Sequence, residues 1–149
     1  MNSRFKKQQM LMRKHQTPTE QLEEYEEKRK YPRIVIDCPV TLVLPGAGPV
    51  VALAYDISPG GIQVRGDRNT ARLVISGAGK LKNETGRDFD VNFVLPLEGK
   101  QARILLRCKL VYVINLDPDV CVIGMQFTKI DGDSKKALKR FIEVSMEPP

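Results

Sequence analysis

From residue 33 onward, apolar and polar residues alternate in short runs that are separated by glycine, proline and other turn-forming residues. Alternation with a period of two is typical of strands that bury one face. Short, closely spaced strands favour an antiparallel barrel or sandwich over alternating strands and helices. The segments predicted as strands are residues 33–44, 50–57, 61–66, 71–76, 88–95, 101–114 and 119–129. The pattern therefore predicts a mainly β domain with seven strand segments.

The C-terminal segment, residues 131–146, changes to a helical period. Its apolar positions fall on one helix face: Ala137, Leu138, Phe141, Ile142 and Met146. Asp133 or Ser134 is the predicted N-cap of this helix. An apolar face of this kind can close one end of a barrel.

A second helix is predicted before the strands. Thr17 can serve as N-cap, Pro18 suits the first helical position, and Glu20 completes a capping box. Pro32 disfavours helical geometry at the preceding residue, so the helix should end within residues 28–30. Residues 1–16 are a weaker, basic segment for which disorder, pairing with another subunit and contact with a partner all stay open.

Length and charge limit the classes of function. The 149 residues have room for one domain with an appendage. Residues 1–33 carry nine cations against five glutamates, which accounts for +4 of the net +6 and leaves the rest of the chain close to neutral. This distribution argues against a broadly basic nucleic-acid-binding face. No apolar run is long enough to predict a membrane span or a secretion signal.

The reactive residue types do not form a recognisable catalytic or metal-binding motif. His15 is the only histidine, and it lies in the N-terminal segment. Cys38, Cys108 and Cys121 lie in apolar segments without metal-type spacing, which predicts buried free thiols in a reducing cytoplasm. Residues 76–80, SGAGK, lack the hydroxyl residue of a phosphate loop and predict a hairpin turn. We expect no metal, no cofactor and no enzymatic activity.

One turn has more specific chemistry. In DISPGG, residues 56–61, Pro59 and Gly60 suit the central positions of a type II turn, in which Gly60 takes a positive φ. Asp56 ends the preceding strand, beside a turn that presents the hydroxyl of Ser58. A carboxylate in that position can accept hydrogen bonds from a donor edge such as the N1–H and N2–H₂ groups of guanine.

A second motif lies in KRKYPR, residues 28–33, where Arg29 and Arg33 are four residues apart. Guanidinium groups match phosphate oxygens and the O6/N7 edge of guanine, and they also stack on purine rings. The order R-x-x-x-R, then D-x-S-x-x-G about 23 residues later, resembles the paired signature of the PilZ domain. The resemblance covers about residues 28–145, including GMQF at 124–127 and KKALKRFI in the C-terminal helix.

The resemblance implies a bacterial cyclic di-GMP receptor, built as a PilZ-type antiparallel β-barrel of six to seven strands with a C-terminal helix. Residues 1–27 would be a helical, partly disordered extension and residues 28–146 the PilZ domain. By this similarity, Arg29 and Arg33 clamp the phosphates and the Hoogsteen edges of guanine. Asp56 and Ser58 hydrogen-bond guanine, and Gly61 shapes the loop.

Three further residues are possible supporting positions in the same expected site: Lys28, Lys30 and Gly60. In such domains, a basic residue just before the first arginine, where this chain has Lys28, favours an intercalated pair of cyclic di-GMP molecules. Lysine lacks the stacking plane of arginine, so the stoichiometry stays open. The oligomeric state, monomer or ligand-dependent oligomer, stays open as well.

In the expected mechanism, the site has two parts. A mobile linker that carries the two arginines folds over a rigid barrel turn when the ligand binds. The N-terminal helix would then relay the signal to a downstream protein partner, which the sequence does not identify. A ligand-independent PilZ-like scaffold is the main alternative. A barrel that binds RNA or DNA through residues 28–33 is a weaker one, and no nucleic-acid partner is expected.

Overall fold

The computed structural model describes residues 17–27, 33–77 and 88–146. The chain divides into two compact units, residues 1–30 and residues 31–149. In the first unit, helix α1 spans Pro18–Glu27. The backbone N–H of Glu20 donates to Thr17 Oγ1 at 3.1 Å, which confirms Thr17 as the N-cap. The predicted end of this helix, within residues 28–30, lies outside the described residues.

The second unit is a closed barrel of six antiparallel strands, in the order β1-β2-β3-β6-β5-β4. The strands are β1 (Ile34–Leu44), β2 (Gly48–Ile57), β3 (Gly61–Gly66), β4 (Phe89–Leu97), β5 (Lys100–Asn115) and β6 (Cys121–Ile130). Pairing of β1 with β4 closes the ring. The described strands confirm the predicted mainly β architecture.

Alternation along each strand produces the core. In β4, Phe89, Val91, Phe93 and Leu95 are buried, and the residues between them are not. Because successive side chains of a strand point to opposite faces, one face of each strand fills the barrel. The short turn from β4 to β5 places Glu98 and Gly99 at positive φ, as hairpin turns that match the strand twist require.

The prediction of a strand at residues 71–76 is wrong. Residues Arg68–Gly77 form helix α2, whose buried positions are Thr70, Ala71, Val74 and Gly77. The Asp67 side chain caps this helix, since its Oδ1 accepts a 2.8 Å hydrogen bond from the backbone N–H of Thr70. That hydrogen bond lowers the pKa of Asp67. The barrel therefore has six strands.

Helix α3 spans Gly132–Met146 and packs Leu138 and Ile142 onto the barrel core, as its apolar period predicts. The predicted cap is wrong, because the helix begins at Gly132 and places Asp133 and Ser134 inside its first turn. Ser134 Oγ instead accepts a 2.8 Å hydrogen bond from the backbone N–H of Leu105. Ser134 thus ties α3 to strand β5.

The three thiols are free, as predicted. Cys108 and Cys121 are buried and Cys38 is half-buried. Burial raises the pKa of Cys108 well above its ordinary value, and the nearby Asp88 carboxylate adds to this effect. No helix among the described residues is both long and apolar enough to cross a membrane.

Candidate functional site

The first component of the site is an ion pair at the start of β1. Arg33 directly precedes β1, and Val35 pairs with Asp56 in the β1–β2 ladder. This register brings Arg33 Nη1 to 2.6 Å from Asp56 Oδ1, although the two residues are 23 positions apart. The Arg33 and Asp56 side chains are only 17% and 5% exposed. The structure therefore places a largely enclosed guanidinium–carboxylate pair where the two sequence motifs meet.

A β-bulge aims Asp56 at the outside of the barrel. Strands β2 and β3 shift register between Ala54 and Asp56, so that Tyr55 and Asp56 together oppose Gln63. Ala54 and Ile57 both belong to the core, and the bulge turns the two residues between them away from it. Bulges commonly re-aim a side chain at a functional site in this way. Strict alternation would have pointed Asp56 into the core.

The turn after β2 is held by Ser58. Its backbone N–H donates to the Gly61 carbonyl at 2.9 Å, and its hydroxyl accepts from the backbone N–H of Gly60 at 3.4 Å. The same hydroxyl donates to the Gly61 carbonyl at 3.4 Å, and the residue is buried. The predicted tight turn is present. The predicted type II geometry is wrong, because Gly60 does not take a positive φ.

Strand β6 approaches position 61 so closely that only glycine fits there. A Cβ built on Gly61 would lie 2.5 Å from the carbonyl oxygen of Met125. Next to it, the backbone N–H of Phe127 donates to the Gly60 carbonyl at 2.9 Å. A Cβ on Gly60 would meet no heavy atom within 4 Å, so only Gly61 needs to lack a side chain. The turn is thus anchored to the β6 segment that contains GMQF.

The structure brings together five of the expected site residues: Arg33, Asp56, Ser58, Gly60 and Gly61. Lys28, Arg29 and Lys30 lie outside the described residues. The R-x-x-x-R half of the expected site is therefore described only at its second arginine.

Sequence reasoning missed a row of residues that continues from Asp56 across the outer face of the barrel. Asp56 pairs with Gln63, Gln63 pairs with Gly124, and Gly124 pairs with Tyr112. The Tyr112 ring lies over Gly124, since a Cβ on that glycine would come within 2.7 Å of three ring atoms. Its hydroxyl accepts a 2.9 Å hydrogen bond from Gln63 Nε2. The sequence signal that could have indicated this row is the polar residue Gln63 within the otherwise apolar run GIQV.

A second cation lies on the same outer face, two residues beyond Gln63. The Arg65 guanidinium stacks over the Tyr55 ring, with its carbon 3.7 Å from the ring centroid. Among residues 17–27, 33–77 and 88–146, no group of three or more His, Cys, Asp or Glu side chains could hold a metal ion. The described site is therefore an array of hydrogen-bonding and cationic groups suited to a polar, anionic ligand.

A family model for the PilZ domain matches residues 27–144. The match covers more than half of the sequence, and the chain therefore belongs to the PilZ domain family. PilZ domains are a family of non-enzymatic receptors for cyclic di-GMP. Membership of this family classifies the domain as a binding domain. Comparison of the sequence with curated proteins gave no significant match.

Solved structures share the fold at low sequence identity. The inhibitor of motility MotI/DgrA of Bacillus subtilis matches with a TM-score of 0.59 and 20% identity, over 81% of this chain and 54% of that chain. The MrkH–c-di-GMP complex of K. pneumonia matches with a TM-score of 0.53 and 18% identity, over 78% of this chain and 51% of that one. The chain thus spans about half the length of these two proteins.

The PilZ domain of YcgR from Escherichia coli, solved with c-di-GMP, is similar over a larger share of its own length. It matches with a TM-score of 0.54 and 15% identity, over 78% of this chain and 90% of that chain. At these identities the three structures show the fold.

Proposed function

We propose that this chain is a cyclic di-GMP receptor whose ligand-binding residues are Arg29, Arg33, Asp56, Ser58 and Gly61. The observation that carries the proposal is the contact between Arg33 and Asp56, which joins the two sequence motifs within one site. The receptor domain comprises residues 28–146, and residues 1–27 are an extension. Free, buried thiols at Cys108 and Cys121 favour a cytoplasmic location.

The chemistry of the pair fits a guanine nucleotide. A carboxylate is an acceptor for the N1–H and N2–H₂ groups of guanine, and a guanidinium is a donor for phosphate oxygens and for O6 and N7. In the structure, Arg33 Nη1 donates a hydrogen bond to Asp56 Oδ1 at 2.6 Å. Ligand binding therefore breaks this contact. Asp56 then accepts hydrogen bonds from guanine, and Arg33 donates hydrogen bonds to the acceptor groups of the nucleotide.

Ser58 and Gly61 give the site a rigid side. The Ser58 hydroxyl fixes the turn through its contacts with residues 60 and 61, and β6 supports the turn from behind. Arg29 supplies the second guanidinium, and Lys28 and Lys30 add positive charge next to it. In the proposed complex, the guanidinium groups of Arg29 and Arg33 hold a dianionic ligand against this turn.

The signal then passes to a downstream protein through the segment before β1. Because Arg29 and Arg33 flank this segment, ligand contacts at both arginines restrict its conformations. The position of residues 1–27 relative to the ligand-bound domain is the output, and no chemical step is needed.

Isothermal titration calorimetry with cyclic di-GMP tests the proposal, with cyclic di-AMP as the comparison ligand. We expect binding of cyclic di-GMP that weakens about 10–100-fold in Arg29→Ala and in Arg33→Ala, the scale of a lost charge-assisted hydrogen bond. Arg103→Ala is the matched control, since Arg103 is an exposed arginine on β5. Wild-type affinity in Arg33→Ala would refute the assigned site. No binding by the wild type would favour the ligand-independent scaffold.

A further inference from the structure

Two bulges bring an unusual set of side chains onto one row of the barrel's outer face. The first turns Asp56 outward, and the second shifts the β5–β6 register between Leu110 and Tyr112. As a result Tyr112 lies opposite Gly124 and reaches across strand β6 to Gln63. The row of Asp56, Gln63 and Tyr112 therefore joins β2 and β3 to β5, which is distant from them in sequence.

Gln63 is the most unusual member of this row. Its neighbours Ile62 and Val64 belong to the core, so Gln63 points outward, yet it is fully buried. Its Nε2 is bound to Tyr112, while its Oε1 has no hydrogen-bond partner among the described residues. A buried acceptor without a partner is costly, and natural proteins keep few of them. The contact with Tyr112 directs the amide nitrogen toward β5 and leaves the oxygen as the unused end.

An unused donor lies on the other side of Asp56. Arg33 Nε is also buried and has no hydrogen-bond partner among the described residues. The carboxylate of Asp56 is thus flanked by one unpaired donor, on the residue that precedes β1, and one unpaired acceptor, on β3. Guanine offers the complementary groups, because it has N1–H and N2–H₂ donors on one edge and O6 and N7 acceptors on another.

We propose that Gln63 is a further ligand-contacting residue that determines specificity for the exocyclic N2 amine of guanine. Gln63 Oε1 accepts one hydrogen of this amine while Asp56 accepts from N1–H and the other amine hydrogen. Tyr112 is a positioning residue that orients the amide of Gln63 through its hydroxyl. This inference rests on the proposed function, because it assigns a contact within the same cyclic di-GMP site.

The proposed contact with Gln63 requires the exchange at Asp56 to take place first. Asp56 is itself nearly enclosed and is bound to Arg33, so a nucleotide reaches the carboxylate only when Arg33 moves. Gln63 is the next residue of the row, directly across the β2–β3 ladder from Asp56. Side chains that face each other across a ladder lie about 5 Å apart, which one purine edge can span.

The experiment compares cyclic di-GMP with cyclic di-IMP, whose hypoxanthine bases lack only the N2 amine. Calorimetry would use the full-length wild type and Gln63→Met, which keeps the side-chain length and removes the amide. We expect the wild type to prefer cyclic di-GMP over cyclic di-IMP by at least about tenfold. In Gln63→Met this preference should fall several-fold, through weaker cyclic di-GMP binding and almost unchanged cyclic di-IMP binding.

Two further variants keep the test decisive. Gln101→Met is the matched control, since Gln101 is an exposed glutamine at the start of β5, and it should keep the wild-type preference. Tyr112→Phe retains the ring over Gly124 and removes the hydroxyl, so it should reduce the preference in the same direction but by less. It also provides the readout if Gln63→Met does not fold.

The outcomes separate the two proposals. If the wild type binds neither ligand, the proposed function fails and the assignment of Gln63 fails with it. If the wild type prefers cyclic di-GMP and Gln63→Met and Tyr112→Phe keep that preference unchanged, the receptor function holds and the inference about Gln63 is overturned. An equal loss of affinity for both ligands would also overturn it, because such a loss indicates a purely structural role.

Discussion

Arg33 and Asp56 form a 2.6 Å guanidinium–carboxylate contact in a position that is largely shielded from water. In the proposed receptor, the ligand competes with this contact for both side chains. Affinity then depends on the difference in free energy between the new hydrogen bonds and the interactions that are broken. Contacts beyond this pair must therefore supply much of the net binding free energy, which is why Arg29 and Gln63 matter to the proposed site.

Replacing Asp56 with alanine should weaken cyclic di-GMP binding by about 1.5–3 kcal/mol, or about 10–100-fold, because guanine loses a charged acceptor. Calorimetry measures this effect. Asp90→Ala is the control, since Asp90 forms a 3.3 Å ion pair with Arg107 and its side chain is 64% exposed. An exposed pair contributes little, so the control should bind as the wild type does. Unchanged affinity in Asp56→Ala would contradict the assignment of Asp56.

Gly61 and Gly60 are adjacent glycines with opposite tolerance to a side chain. Gly61→Ala should lower the free energy of unfolding by about 1–3 kcal/mol, because its Cβ would lie 2.5 Å from the backbone oxygen of Met125. Gly60→Ala should change it by less than about 0.5 kcal/mol, because the position is open and has no positive φ. Urea denaturation of both variants measures the difference. Equal effects would show that the turn, and not the approach of β6, requires glycine.

Much of the barrel could be predicted from the sequence because alternation has a direct physical cause. In β4 and β5 nearly every second residue is apolar and buried, and turn-forming residues stand between the strands. Helix α2 was mistaken for a strand because Leu73, Val74 and Ile75 form a continuous apolar run. Periodicity alone does not distinguish a helix from a strand in such a run. The capping by Asp67 and the burial at Thr70, Ala71 and Val74 follow the helical period.

The candidate site could be predicted only where a short sequence motif identifies its residues, as for Arg33 and Asp56. DISPGG identifies Asp56 and Ser58, and the turn it forms is present although its type differs. The contribution of Gln63 and Tyr112 depends on two register shifts, and a bulge has no clear sequence signal. A glutamine between Ile62 and Val64 looks like an ordinary outward-facing residue until the ladder places it beside Asp56.

The packing of Tyr112 on Gly124 predicts a coupled pair of substitutions. Gly124→Ala should destabilise the protein by about 1–3 kcal/mol, because a Cβ would lie 2.2 Å from the ring. In Tyr112→Ala the ring is gone, so adding Gly124→Ala should cost much less. A double-mutant cycle measured by urea denaturation should therefore show a coupling free energy of about 0.5–3 kcal/mol. Additive effects would contradict the direct contact that positions Tyr112 beside Gln63.

The buried thiol of Cys108 predicts a loss of stability at alkaline pH. Its pKa is raised above the ordinary value of 9.0, mainly by burial, so the folded state keeps a proton that the unfolded state releases. The stabilising contribution is complete below pH 9 and is lost as the pH rises above it. In Cys108→Val, which has no proton to keep, the free energy of unfolding should fall less steeply above pH 9, by up to about 1.4 kcal/mol per pH unit. Urea denaturation of the wild type and the variant between pH 8 and about 10.5 measures the two slopes, and parallel slopes would contradict the assigned burial of the thiol.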